Sequence, residues 1–222
     1  MKIWIESPYK NNLAQDLKKL GVKIDRHKPD FVVTYGGDGT ILRAERRYPG
    51  VPKIPIRKSH NCNMCVDDLA NIETIMERIS KKQYRIEKFE KVDAAFGQKV
   101  FVGLNEIQIH NKDPRKALRF NLLVGGKKFT NLIGDGLVFS TAYGSTAYYR
   151  AIGNKPFKSG IKIGFNNVHP KQTTINLTGK ATVEIIREKA LLIADNDGII
   201  ELKPGNTVEV SKSKQRAAFV RI

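Results

Sequence analysis

Apolar positions recur along the first part of the chain with two spacings in turn, and that alternation predicts strands followed by helices. Residues 2–6 read as a short strand. Leucines at 13, 17 and 20 share one face of a helix over residues 12–20, and Gly21 stops it. Residues 31–35 form an unbroken run of strand formers, the pattern of a strand covered on both faces. The run leads directly into Gly36-Gly37-Asp38-Gly39-Thr40. A helix is predicted over 41–47, closed by Pro49-Gly50, and then a strand over 53–57. Residues 67–81 read as a helix with Leu69, Ile72, Ile75, Met76 and Ile79 turned inward. This order predicts an α/β domain with a parallel sheet over residues 1–85.

From residue 86 the texture changes. Short alternating segments appear at 100–104, 106–110, 119–124, 161–165, 173–177, 182–187, 191–194, 199–202 and 207–210. Turn residues punctuate them at Gly125-Gly126, Asp197-Gly198 and Pro204-Gly205-Asn206. That density of strands predicts a β-rich second domain over residues 86–222, interrupted by one helix near 145–152. The chain shows no internal repeat and no low-complexity linker.

Composition narrows the function classes. An apolar fraction of 41% in 222 residues suits folded domains with real cores. The run at residues 3–5 is too short for a signal peptide, and no stretch approaches a membrane span, so a cytoplasmic protein without membrane contact is expected. Lys and Arg number 39 against 22 Asp and Glu, a net charge of +17 that draws anions toward any cleft. Polyphosphate-bearing nucleotides fit that charge. Nucleic acid fits it less well, because no nucleic-acid motif is present and aromatic residues for base stacking are sparse. Cys62 and Cys65 follow His60 in a Cys-Asn-Met-Cys run that lacks a fourth zinc ligand. They are expected to be small buried hydrophobes, with no resident metal.

Three constellations carry chemistry. The first, residues 36–40, joins an apolar strand to a helix, where α/β folds bind ligands. Its glycines let backbone amides approach phosphate and permit positive φ, and the helix N-terminus adds partial positive charge. A carboxylate there would repel phosphate, and a general base toward an attacking hydroxyl gives Asp38 a reason to be present. A tight turn capped by Asp38 is the plainer alternative. The motif is neither a Walker loop nor a dinucleotide fingerprint. The second constellation is Asn105-Glu106 between two strands, an amide beside a carboxylate able to hold ribose hydroxyls, or else an ordinary turn. The third runs from Gly134-Asp135-Gly136 through an apolar strand to Gly144-Ser145-Thr146-Ala147-Tyr148, again exposing amides and hydroxyls.

The order Gly-Gly-Asp-Gly-Thr, Asn-Glu, then Gly-Asp-Gly…Ser-Thr…Gly-Ser-Thr-Ala-Tyr is similar to that of the NAD kinases. The likeness covers residues 31–153, with a weaker echo at Asp197-Gly198. Diacylglycerol, sphingoid-base and 6-phosphofructo-kinases share the first motif alone; the third is far more specific. The resemblance implies an α/β N-terminal domain, a β-sandwich C-terminal domain, NAD between them and a homodimer or homotetramer. It makes Asp38 the proton acceptor and sets Gly36, Gly37, Gly39 and Thr40 at the nucleotide, with Arg43 near the phosphates. Asn105, Glu106 and Asp135 would bind NAD. Thr146, Ala147, Tyr148, Tyr149, Arg150 and Ala151 would line its pocket. Mg²⁺ or another divalent cation would accompany ATP or polyphosphate as donor.

The chain departs from the family where a Gly-Ile-Asn-x-Gly segment usually follows the first motif. Here residues 54–62 read Ile-Pro-Ile-Arg-Lys-Ser-His-Asn-Cys, and Arg57 and Lys58 stand ready to grip phosphate instead. Two other readings stay open on the residues alone. One is a lipid kinase of the related superfamily; the other is a non-catalytic nucleotide sensor or nucleic-acid binder on the same fold.

Overall fold

The structure, a computed structural model, describes residues 1–9, 12–57, 67–68 and 72–222. Lys58, His60, Cys62, Cys65 and Leu69 lie outside the described residues. The chain packs as two compact units, Met1–Phe89 with Gln215–Ile222, and Glu90–Lys214.

The first unit holds β1 (Lys2–Glu6), α1 (Leu13–Lys19), β2 (Lys23–Ile24), β3 (Phe31–Gly36), α2 (Asp38–Arg47), β4 (Lys53–Arg57), β5 (Asp67–Asp68) and α3 (Ile72–Ser80). Strands run in the order β2-β1-β3-β4, all parallel, with β5 also parallel to β4. Neighbouring valines explain the unbroken apolar run of β3, since successive side chains point to opposite faces. Val33 packs with Leu13 and Leu17 of α1 and Ile75 and Ile79 of α3, while Val32 packs with Ala44 of α2. Helices therefore cover both faces.

Two local expectations are corrected here. Asp67-Asp68 is strand rather than helix: Asp67 lies opposite Ile56 of β4, and α3 starts only at Ile72. The helix after the glycine motif starts at Asp38 rather than residue 41. Gly37 is its N-cap, and its carbonyl accepts the N–H of Thr40 at 2.9 Å.

In the second half come β6 (Arg85–Phe96), β7 (Lys99–Gly103), β8 (Glu106–Asn111), β9 (Leu118–Val124), β10 (Lys127–Gly134) and β11 (Gly136–Thr141). A 3₁₀ helix at Tyr143–Thr146 and α4 (Tyr148–Ala151) follow. Then come β12 (Ile161–Asn166), β13 (Ile175–Asn176), β14 (Lys180–Arg187), β15 (Ala190–Ala194), β16 (Asp197–Leu202) and β17 (Thr207–Arg221). Residues 145–152 are thus not one helix; the chain breaks step at Ala147, whose φ of −90° and ψ of −127° are not helical.

The second unit is a β-sandwich. One antiparallel sheet has the order β13-β12-β11-β8-β15-β16; facing it, β10, β9, β14 and the first residues of β17 pair antiparallel. Alternate residues from both sheets fill the core, among them Ile107, Ile109, Leu137 and Phe139 from one and Phe120, Leu122, Val183 and Val208 from the other. Gly125-Gly126 makes the tight β9–β10 turn, both residues at positive φ. The turn expected at Asp197-Gly198 falls two residues earlier. Ala194 pairs with Asp197, leaving Asp195-Asn196 as the loop, and Gly198 at φ +68° absorbs the extra residue of a bulge in β16. β17 pairs with β14 through Thr207–Ser211, and its Phe219 lies parallel to Lys53 of β4 in the first unit.

Candidate active site

In the first unit, unusual φ does not explain the glycine motif, since neither Gly36 nor Gly37 has positive φ. A Cβ on Gly36 would collide with the Thr40 hydroxyl, which is buried beneath it. A Cβ on Gly37 would meet nothing within 4 Å, so the chain itself does not demand glycine there. Asp38, half-buried, is the first residue of α2, where aligned peptide dipoles favour a negative charge.

Arg43 lies on α2 and is tied down. Its Nε donates to Glu6 Oε1 at 2.7 Å, and Arg47 donates to Glu6 Oε2 at 3.0 Å. The Trp4 indole donates to the same Oε2 at 3.4 Å. Glu6, buried at the end of β1, is therefore an anchor for two arginines, and nothing in the sequence pattern singles it out. The arginines stay about half exposed beyond it. Deeper in the unit, Lys53 and Glu45 form a fully buried ion pair, with Lys53 also donating to the Tyr48 carbonyl at 2.6 Å.

In the second unit, Asn105-Glu106 is clasped from two sides. Asp195 Oδ2 accepts the N–H of Leu104 at 3.0 Å, and Oδ1 accepts those of Asn105 at 2.7 Å and Glu106 at 3.2 Å. On the carbonyl side, the Thr141 hydroxyl donates to Leu104 O at 2.6 Å and accepts the Gly144 N–H at 3.1 Å. Gly144 packs so tightly on the Asn105 backbone that any Cβ would overlap it. Sequence reasoning missed Asp195; a run of Asp-Asn-Asp-Gly between two strand patterns was the available signal.

Glu106 itself is 4% exposed and sits opposite Ser140 of β11. Gln108 donates to its Oε1 at 3.2 Å, while Oε2 is buried without a hydrogen-bond partner among the described residues. Burial first, and the Asp195 charge second, push its carboxyl up to about 8. A buried acceptor left open in this way is a place for a ligand hydroxyl.

The remaining candidates are distributed. Asp135 lies where the chain crosses from β10 to β11; its carboxylate accepts from Asn111 at 3.4 Å and Asn167 at 3.3 Å. Gly136 faces His110, whereas Ser140 faces Glu106, so Asp135 lies beyond the far end of β11, roughly 13 Å or more along the strand. A cleft of about 560 Å³ opens beside Asn167, lined also by Gly153, Asn154, Phe165 and His169. Thr146, Ala147, Arg150 and Ala151 are exposed and Tyr148 is half-buried, its hydroxyl accepting from Asn166 at 3.4 Å. Tyr149 turns inward, 1% exposed, edge-on to Phe157 with ring centroids 5.3 Å apart. It supports the segment from beneath.

The architecture is that of a two-domain fold, parallel α/β followed by β-sandwich, with polar corners in each unit. The family model for the ATP-NAD kinase C-terminal domain matches residues 104–222. The NAD kinase of Methanospirillum hungatei JF-1 is 31% identical over 234 residues, covering 96% of this chain and 82% of that protein. The NAD kinase of Thermoplasma acidophilum is 25% identical over 228 residues, covering 99% and 83%. The crystal structure of an NAD kinase from Archaeoglobus fulgidus in complex with ATP superposes with a TM-score of 0.84 at 22% identity, over 100% of this chain and 94% of that one. The chain belongs to the NAD kinase family and is an enzyme of that family.

Proposed function

We propose that the protein phosphorylates the 2′-hydroxyl of the adenosine ribose of NAD to give NADP, with Asp38 as general base. The carrying observation is the Asp38 carboxylate at the first residue of α2, next to a glycine whose open side the chain does not need for itself. As the ribose O2′ attacks, its proton passes to Asp38 and the O2′–Pγ bond forms. The bond from Pγ to the β,γ-bridging oxygen breaks, and its electron pair leaves with the diphosphate. The aligned amides of α2 and the Arg43 guanidinium suit the anionic donor, and Gly39 touches the nucleotide.

Asn105 and Glu106 hold ribose hydroxyls, with the open Glu106 Oε2 as acceptor. Asp135 and the exposed face of Thr146, Ala147, Tyr148, Arg150 and Ala151 take further parts of the dinucleotide, while Tyr149 acts by support. ATP is the donor favoured by the relatives, and polyphosphate is the alternative. Among the described residues no three His, Cys, Asp or Glu side chains converge to hold a metal ion. The described residues do not form a protein cage for Mg²⁺, which characteristically binds through substrate phosphates and water. No described helix is long and apolar enough to cross a membrane, and on this reading the enzyme is a cytoplasmic homodimer or homotetramer.

The test is a phosphorylation assay offering NAD, NADH and a diacylglycerol side by side with ATP, reading NADP enzymatically. NADP formation is expected, and phosphorylation of the lipid alone would refute the reading.

A further inference from the structure

Asp195 belongs to none of the constellations above, yet it holds more of the Asn105-Glu106 corner than any other described side chain. Its two oxygens take three consecutive backbone N–H groups, from Leu104, Asn105 and Glu106. Asp195 stands at φ +53° in the hairpin loop, a left-handed conformation that Asp tolerates better than most non-glycine residues. Its own N–H donates to the Glu106 carbonyl at 3.0 Å, so the hairpin loop and the turn are laced in both directions. The same carboxylate lies beside Glu106, whose Oε2 is the open acceptor of the site. We propose that Asp195 is the positioning residue of the dinucleotide site: it fixes the turn that presents Asn105 and Glu106, and its charge sets the pH range in which Glu106 takes a ribose hydroxyl. This rests on the NAD kinase reading.

The charges around Glu106 make the second role specific. From β11 the facing side chain is Ser140, and from β8 itself Gln108, both neutral; from the β15–β16 hairpin comes Asp195. The Asp195 carboxylate, held in place by three N–H groups, opposes a second charge beside it. Burial adds to that opposition, and the Glu106 carboxyl is raised to about 8. A ribose hydroxyl donates more strongly to an ionised than to a protonated carboxyl, so affinity should climb as Glu106 ionises.

Calorimetry of NAD binding from roughly pH 5.5 to 9, a range bracketing the carboxyl's raised value, tests the proposal. The wild-type chain, Asp195→Asn, Glu106→Gln and the double variant are compared. Asp195→Asn keeps Oδ1, the acceptor for Asn105 and Glu106, while removing the charge. The wild-type affinity should rise with pH and level off above about 8. In Asp195→Asn the rise should move to lower pH by roughly one unit, the scale of a lost like-charge neighbour. Glu106→Gln should bind with no such rise, and adding Asp195→Asn to it should move nothing along the pH axis. A purely structural residue would change affinity at every pH without moving the midpoint. An unmoved midpoint in Asp195→Asn overturns the proposal and leaves the NAD kinase reading standing, whereas absence of wild-type NAD binding at every pH overturns both. If the Asp195 variants do not fold, amide exchange on the wild-type chain decides. The Leu104, Asn105 and Glu106 amides should all be protected; fast exchange at all three refutes the clasp.

Discussion

Asp195 Oδ1 accepts the Asn105 N–H at 2.7 Å across 90 residues of sequence, the shortest of the bonds that lace the β15–β16 hairpin to the turn before β8. Hydrogen bonds to a charged group contribute about 1.5–3 kcal/mol each, so the clasp rigidifies the turn before any ligand arrives. Its neighbours are equally prearranged. Thr141 receives one side of the turn and Gly144 lies flat on it.

Replacing Asp38 by Asn removes the proton acceptor and keeps the size of the side chain. Turnover should fall by about 10²–10⁴-fold, the usual worth of a general base, while the NAD dissociation constant stays near the wild-type value. Steady-state kinetics beside calorimetry would expose the opposite: a folded Asp38→Asn enzyme turning over at the wild-type rate.

Glu106 makes stability depend on pH with a defined sign. Its carboxyl rises from 4.5 to about 8 in the folded chain. Below 4.5 both states hold the proton and nothing is lost. Between 4.5 and 8 the unfolded chain ionises while the folded chain does not, so stability falls as pH rises and levels off above 8. The full loss is on the order of 3–5 kcal/mol. Glu106→Gln should abolish it, matching the wild type near pH 4 and exceeding it at pH 8 in urea denaturation. Equal pH slopes for the two proteins would contradict the assignment.

Two glycines should respond to the same change on different scales. Gly144→Ala drives a methyl into the Asn105 backbone and should cost roughly 2–4 kcal/mol, as overpacking and the displaced turn combine. Gly37→Ala enters open space at a φ of −102°, so no clash opposes it, and the loss should stay within about 1 kcal/mol, the scale of a poorer N-cap. If that space belongs to the donor, Gly37→Ala should nevertheless raise the KM for ATP. Thermal unfolding and kinetics on both variants separate packing from ligand approach.

Glu6 holds Arg43 and Arg47 from beneath α2. Glu6→Gln removes the charge that orders both guanidinium groups and should destabilise the unit by about 1–3 kcal/mol. The KM for ATP should rise more than the KM for NAD, because Arg43 is assigned to the donor. Equal changes in both constants would place Arg43 elsewhere.

Much of the fold was legible where one local rule decided the outcome. The double coverage of β3 could be read from adjacent Val32 and Val33, and the β9–β10 turn from Gly125-Gly126, because only a tight turn uses two positive φ values in a row. Most of the sandwich strands followed from alternation, though β10 was not among them. Legibility failed where tertiary pairing overrode local preference. Asp67-Asp68 carries no strand propensity and is strand only because β4 offers it a parallel edge. β6, rich in Lys and Glu, hides its buried Val92 and Ala94 among charged neighbours. At the candidate site, motif residues announced themselves, but their supports did not. Glu6 and Asp195 act on residues 37 and 90 positions away, and no spacing rule reaches that far.

Because β17 serves both units, the order of synthesis does not match the order of completion. Val220 belongs to the core that Ile3, Val33 and Ile54 begin, yet it is translated after the whole of the second unit. On the ribosome, the leading α/β segment must wait with an unfilled flank while the sandwich emerges. Its final cooperative closure therefore waits on a strand that follows the second unit in sequence.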